Sequence, residues 1–89
     1  MLINPFENGI DIDSVDGIDR IIADLQKILA DSSANMVIKS AAGSAMKSLE
    51  DLKDSYSVIM NDSARVEKRI DCKVALDFLK KQMHLTEVG

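Results

Sequence analysis

Apolar side chains recur at helical spacing over most of the chain. The clearest series lies in the N-terminal third, where six large aliphatic residues occupy positions i, i+3, i+4, i+7, i+10 and i+11. This spacing places them on one stripe of an amphipathic helix, which we predict over residues 15–31. The six residues are Ile18, Ile21, Ile22, Leu25, Ile28 and Leu29.

A second apolar series covers residues 42–70 and steps alternately by three and four residues. Such a heptad seam is typical of helices that pack along their length. We predict helices over residues 34–60 and 63–84. The polar stretch 61–63 either separates these two helices or lies within one continuous helix. The apolar seam residues are Ala42, Ala45, Leu49, Leu52, Tyr56, Ile59, Val66 and Ile70.

The N-terminal residues 1–14 lack this periodicity. They contain the turn-forming pairs Asn4-Pro5 and Asn8-Gly9, so we predict an extended arm. Residues 1–89 are therefore expected to form a single all-α domain. Its architecture is either a small antiparallel helical hairpin or a three-helix bundle, with a coiled-coil-like second half.

The predicted first helix is too short to cover the seam. At 1.5 Å per residue, residues 15–31 extend over about 25 Å, whereas residues 42–70 extend over about 42 Å. Another polypeptide must cover the surplus, which predicts self-association and a protein–protein interface. The candidate interface residues are Leu49, Leu52, Tyr56, Ile59, Val66 and Ile70.

A run of small residues at 40–45 lies within the second predicted helix. Gly43 inside this run costs about 1 kcal/mol of helix stability relative to alanine. Close packing of another helix is the expected reason for the glycine. That neighbour is either the first predicted helix or a helix of another chain.

Charge is unevenly distributed along a chain whose formal net charge is −4. Residues 1–31 contain seven acidic and two basic residues, whereas residues 63–89 contain six basic and four acidic residues. The two ends can attract each other within one molecule or between neighbours. A net acidic chain disfavours nucleic-acid binding as the main activity, and a second alternative function is weak nucleic-acid binding through a basic cluster of the C-terminal helix. That cluster is Arg65, Lys68, Arg69 and Lys73.

Residue types that catalyse reactions or bind metals are sparse. The single Cys72 and the single His84 are twelve residues apart, about 18 Å along a helix, which is too far for a thiol–base pair. The sequence contains neither a glycine-rich phosphate loop nor a zinc-type cluster. The acidic segment from Asp11 departs from a calcium loop at its fifth, sixth and twelfth positions. We expect no enzymatic activity, cofactor or metal, with Cys72 buried and His84 exposed.

Targeting signals are not evident. The N-terminus has no basic start followed by an apolar run, and no stretch approaches the roughly 20 apolar residues of a membrane span. A single cysteine fits a reducing compartment, so we expect a cytoplasmic protein. The expected function is a non-enzymatic helical protein–protein interaction module. It would act as a homo-oligomer and as an adaptor, regulator or inhibitor of a larger protein.

Residues 56–61, followed by Ser63, Val66 and a basic C-terminal segment, look like the second helix of the needle subunits of type III secretion systems. The order of polar arm, helix, polar turn and longer helix is also similar to these subunits. The turn at 31–35 lacks the prolines typical of that family. The resemblance implies an alternative function as a structural subunit of a larger helical assembly, such as a secretion needle or phage component.

Overall fold

Three α-helices form the protein in a computed structural model, which describes residues 4–6, 9–57 and 62–88. The helices are α1 (Val15–Ala30), α2 (Met36–Ser57) and α3 (Asp62–Val88), and the described ranges contain no β-strand. The predicted all-α class is confirmed. The molecule measures 43 × 21 × 18 Å along its principal axes.

Helix α1 begins where a serine caps it. The Ser14 hydroxyl oxygen accepts a hydrogen bond of 3.0 Å from the Gly17 N–H, one of the donors left unpaired at a helix start. The same hydroxyl donates to the Asp11 carboxylate, which also accepts from the Asp13 N–H. The acidic segment that precedes α1 is therefore organised as a helix cap. The buried residues of α1 are Ile18, Ile21, Leu25 and Ile28.

Helix α2 begins at Met36, two residues later than predicted. The Asp31 carboxylate accepts hydrogen bonds from both the backbone N–H and the hydroxyl of Ser33, which forms a turn and not a helix start. These two hydrogen bonds lower the pKa of Asp31. Asn35 provides the cap, since its side-chain oxygen accepts from the Ile38 N–H at 2.9 Å.

Helices α2 and α3 pack antiparallel. Near the end of α2 the Ser55 carbonyl accepts a hydrogen bond of 3.2 Å from Arg65, and further back the Ser48 carbonyl accepts from the Cys72 thiol at 3.1 Å. Increasing residue numbers on α3 thus meet decreasing numbers on α2. Of the two predicted arrangements, the folded-back one is observed. Of the predicted boundary 61–63, residue 61 lies outside the described residues, and α3 begins at Asp62.

Helix α2 lies between the other two helices. It packs against α1 as well as α3, and Lys53 on α2 forms an ion pair of 2.6 Å with Asp19 on α1. Among the described residues, the backbones of α1 and α3 do not come into contact with each other. The space along α1 and α3 is therefore available to another element.

The N-terminal arm occupies a position alongside α3. The Lys80 ammonium lies 5.9 Å from the centre of the Phe6 ring, and Asp13 forms an ion pair with Arg69. The arm therefore runs in the opposite direction to α3. Its Pro5 and Ile12 are buried, and Ile12 is part of the main core.

The hydrophobic core is a single cluster that draws on the arm and all three helices. Small residues of α2 allow this close packing, because Ala41, Ala42 and Ala45 are buried. The core contains one aliphatic residue from the arm, four from α1, Ala34 from the turn between α1 and α2, six from α2 and four from α3. Its members are Ile12, Ile18, Ile21, Leu25, Ile28, Ala34, Ile38, Ala41, Ala42, Ala45, Leu49, Leu52, Cys72, Leu76, Leu79 and Met83.

The helix packing predicted at the small-residue run involves Ala41, Ala42 and Ala45, which are buried. Gly43 does not take part in it within the described chain, because a Cβ atom placed there would have no neighbouring atom within 4 Å. The close approach is found instead at Gly17. There an added Cβ would collide with the Asp11 carbonyl oxygen and lie 2.9 Å from the Asp11 Cβ.

Candidate protein-binding surface on α3

The predicted interface residues do not lie on one surface. Leu49 and Leu52 of α2 are fully buried inside the molecule. A partner cannot reach them while the chain is folded, so their proposed role in an intermolecular interface is not supported by their position. They pack in the core because α2 lies between α1 and α3, whereas the length comparison that predicted an uncovered seam counted only the first helix as cover. Ile59 lies outside the described residues.

Tyr56 is half-buried and contacts the arm. Its hydroxyl donates a hydrogen bond of 3.0 Å to the Ile12 carbonyl oxygen. The Arg65 guanidinium of α3 lies over the Tyr56 ring, 5.2 Å from its centre. Tyr56 therefore joins α2, α3 and the arm within one molecule.

Val66 and Ile70 have a different environment, because both are exposed on α3. Together with two further exposed residues they form a row that repeats every four positions, which we call the α3 ridge. The row extends over about 18 Å at 1.5 Å per residue. Its members and their exposed fractions are Val66 at 49%, Ile70 at 54%, Val74 at 64% and Phe78 at 52%.

The opposite side of α3 faces the core through Cys72, Leu76, Leu79 and Met83. At about 100° of rotation per residue, Ile70 and Val74 project from the far side of the helix. Helix α3 is therefore apolar on two sides, and the described chain covers only one of them. This contiguous exposed apolar row is a candidate site of interaction. In the sequence, Val74 and Phe78 broaden the apolar face formed by Cys72, Leu76, Leu79 and Met83.

Charged residues of opposite sign flank the α3 ridge. Glu67 and Asp71 are exposed on the side nearer α2. Helical rotation places Lys73 and Lys80 on the side nearer the arm, where Lys80 lies over the Phe6 ring. The exposed Lys81 follows the end of the row, and the exposed Asp77 reduces the positive charge on this side without cancelling it. The ridge thus has one acidic and one basic border.

Cys72 and His84 occupy separate environments. Burial raises the pKa of the Cys72 thiol to about 11, and the thiol donates a hydrogen bond to the Ser48 carbonyl oxygen. A protonated thiol is a poor nucleophile at neutral pH. His84 is exposed and lines a shallow hollow with Asn4 and Phe6. Within the described ranges, no group of three or more histidine, cysteine or acidic residues is placed to hold a metal ion.

The predicted basic cluster is divided by contacts inside the molecule. Arg65 is stacked on Tyr56, and Arg69 is paired with Asp13 of the arm. Lys68 lies in a small hollow with Asp51 and is only partly exposed. Two of the four bases therefore stabilise the fold. None of the helices, over the residues described, combines the length and apolar character needed to cross a membrane.

Comparison of the chain with protein-family models, with curated proteins and with solved structures gives no match.

Proposed function

We propose that this protein is a non-enzymatic helical interaction module that binds other polypeptides through the α3 ridge. The observation that carries this proposal is the row of four apolar residues on the side of α3 away from the core. Burial of apolar surface drives protein association, at about 25 cal/mol per Å² removed from water. A partner that covers Ile70 and Val74 removes the most exposed part of the row from water.

The module acts as a homo-oligomer and as an adaptor, regulator or inhibitor of a larger protein. Self-association is supported by the two borders, because the acidic and the basic residues are carried by the same helix. A reducing, cytoplasmic location is part of the proposal and rests on Cys72, a buried cysteine without a disulfide partner.

Light scattering coupled to size-exclusion chromatography, at several protein concentrations, tests the proposal. The wild-type chain is expected to gain mass as concentration rises. A variant with Ile70→Gln and Val74→Gln removes apolar surface without changing charge and should remain at the monomer mass. The matched control is Met36→Gln with Val37→Gln, since these residues are also exposed but lie on α2.

Three results are informative. A wild-type chain that stays monomeric at every concentration contradicts the homo-oligomer proposal. Equal loss of association in both double variants contradicts the assignment to the α3 ridge. Mass that grows without limit favours the alternative of a subunit in a larger helical assembly.

A further inference from the structure

The two borders of the α3 ridge differ in sign, and this difference distinguishes the possible ways of pairing two copies. In a two-fold symmetric dimer the same surface is used by both chains. Two α3 helices that meet at the ridge run either parallel or antiparallel. Which border of one copy meets which border of the other depends on that direction.

In an antiparallel pair, the two-fold axis brings each border against the same border of the partner. Asp71 then lies close to Asp71 of the second copy, and Lys73 lies close to Lys73 of the second copy. Both contacts are repulsive. In a parallel pair, the acidic border faces the basic border. Asp71 then lies about one helical turn or less from Lys73 of the second copy, and symmetry makes this contact twice.

We propose that the α3 ridge is a homodimer interface in which the two α3 helices run parallel, with Asp71 of each copy facing Lys73 of the other. The inference rests on the proposed function, because it requires the ridge to be covered by protein. Val66, Ile70, Val74 and Phe78 form a row of the i±4n type. Two such rows align when helices cross at about 50°. Ile70 and Val74 then lie at the crossing point, next to Asp71 and Lys73.

The dimer is expected to be weak and concentration-dependent. Stable complexes bury about 800 Å² on each partner, and one row of four half-exposed side chains offers less than this. The charged pairs are exposed to solvent, so they set the orientation more than the affinity.

Charge reversal distinguishes the two orientations. In the parallel dimer, Asp71→Lys replaces attraction with repulsion and should raise the dimer dissociation constant about threefold to tenfold at low salt. The double variant with Asp71→Lys and Lys73→Asp exchanges the two charges and should restore the wild-type constant. In an antiparallel dimer, both variants retain like charges opposite each other and should bind as the wild type does.

The control for net charge is Glu50→Lys, an equal change of charge at an exposed position of α2. It reduces the overall negative charge and should not weaken association. Sedimentation equilibrium of the full chain gives the dissociation constants, and circular dichroism verifies that each variant is folded. At 1 M salt, where the Debye length is about 3 Å, the differences between variants should largely disappear.

Weakening by Asp71→Lys with recovery in the double variant supports the parallel dimer. An unchanged constant for Asp71→Lys, or weakening without recovery, overturns the parallel orientation while self-association itself remains. Absence of any wild-type dimer at all concentrations overturns the proposed self-association as well.

Discussion

Gly17 lies at the point where the arm passes closest to α1. The Asp11 backbone occupies the position that a Cβ atom would need, so only glycine permits this contact. The same contact brings Asp11 within reach of Ser14, whose hydroxyl caps α1. Because Gly17 has no side chain, the arm can pack against the first turn of α1 while Asp11 and Ser14 form the cap.

Substitution of Gly17 by alanine should destabilise the protein. Displacement of the arm by an overpacked methyl group costs about 1–3 kcal/mol, more than alanine contributes to the helix. Gly43→Ala is the matched control, because space is open around Gly43. It should increase the free energy of unfolding by about 0.5–1 kcal/mol. Urea unfolding followed by circular dichroism measures both variants, and stabilisation by both substitutions would contradict the close approach at Gly17.

The arm acts as a fourth structural element because α1 and α3 do not pack directly in the described part of the chain. Its attachments are of two kinds. Ile12 is buried in the core, and its carbonyl accepts the Tyr56 hydroxyl. Asp13 pairs with Arg69 at the surface, where solvent-exposed ion pairs contribute about 0–1 kcal/mol. Apolar burial is therefore the main attachment of the arm.

Substitution of two isoleucines of the arm, Ile10 and Ile12, tests whether apolar burial is its main attachment. Ile12→Ala should lower the free energy of unfolding by about 2–4 kcal/mol, because it leaves a cavity in the core. Ile10→Ala, two residues earlier and exposed, should change it by less than about 0.5 kcal/mol. Equilibrium unfolding measures the difference. Hydrogen exchange of the α1 N-terminus should accelerate only in Ile12→Ala, and equal effects of the two variants would show that the arm is not attached through Ile12.

At the scale of the whole molecule, α2 and α3 share one heptad pattern that serves two purposes. Leu49 and Leu52 are enclosed by α1 and α3, whereas Val66 and Ile70 project outward from α3. The first pair contributes to folding. The second pair is available for association, so substitutions in the two halves of the pattern should affect different equilibria.

Leu52→Ala and Ile70→Ala separate these equilibria. Leu52→Ala should cost about 2–5 kcal/mol of stability, enough to unfold much of a small domain whose total is of similar size. Ile70→Ala should leave the stability of the dilute monomer within about 1 kcal/mol of wild type and weaken association at high concentration. Thermal unfolding at two protein concentrations measures both effects. If Ile70→Ala destabilises the dilute protein as strongly as Leu52→Ala, the ridge is covered within the molecule.

The fold class and the helices could be predicted from residue spacing, since a helix that buries one face must repeat its apolar residues every three or four positions. Helix α1 was predicted over 15–31 and observed at Val15–Ala30. Capping was less predictable, because Asp31, Ser33 and Asn35 are all competent to cap a helix. Which of them caps the helix depends on the path of the turn. Asn35 is the cap that is observed, so α2 begins at Met36.

The direction of the exposed apolar residues could not be predicted from spacing. A heptad pattern shows that residues share a face but not which neighbour covers it, and the chain reversal between α2 and α3 placed Leu52 inside and Ile70 outside. The arm, which has no periodicity, became part of the core because Gly17 allows its backbone to approach α1. Local spacing therefore defined the helices of this protein, whereas the choice of which apolar residues stay exposed followed from long-range packing between segments far apart in the chain.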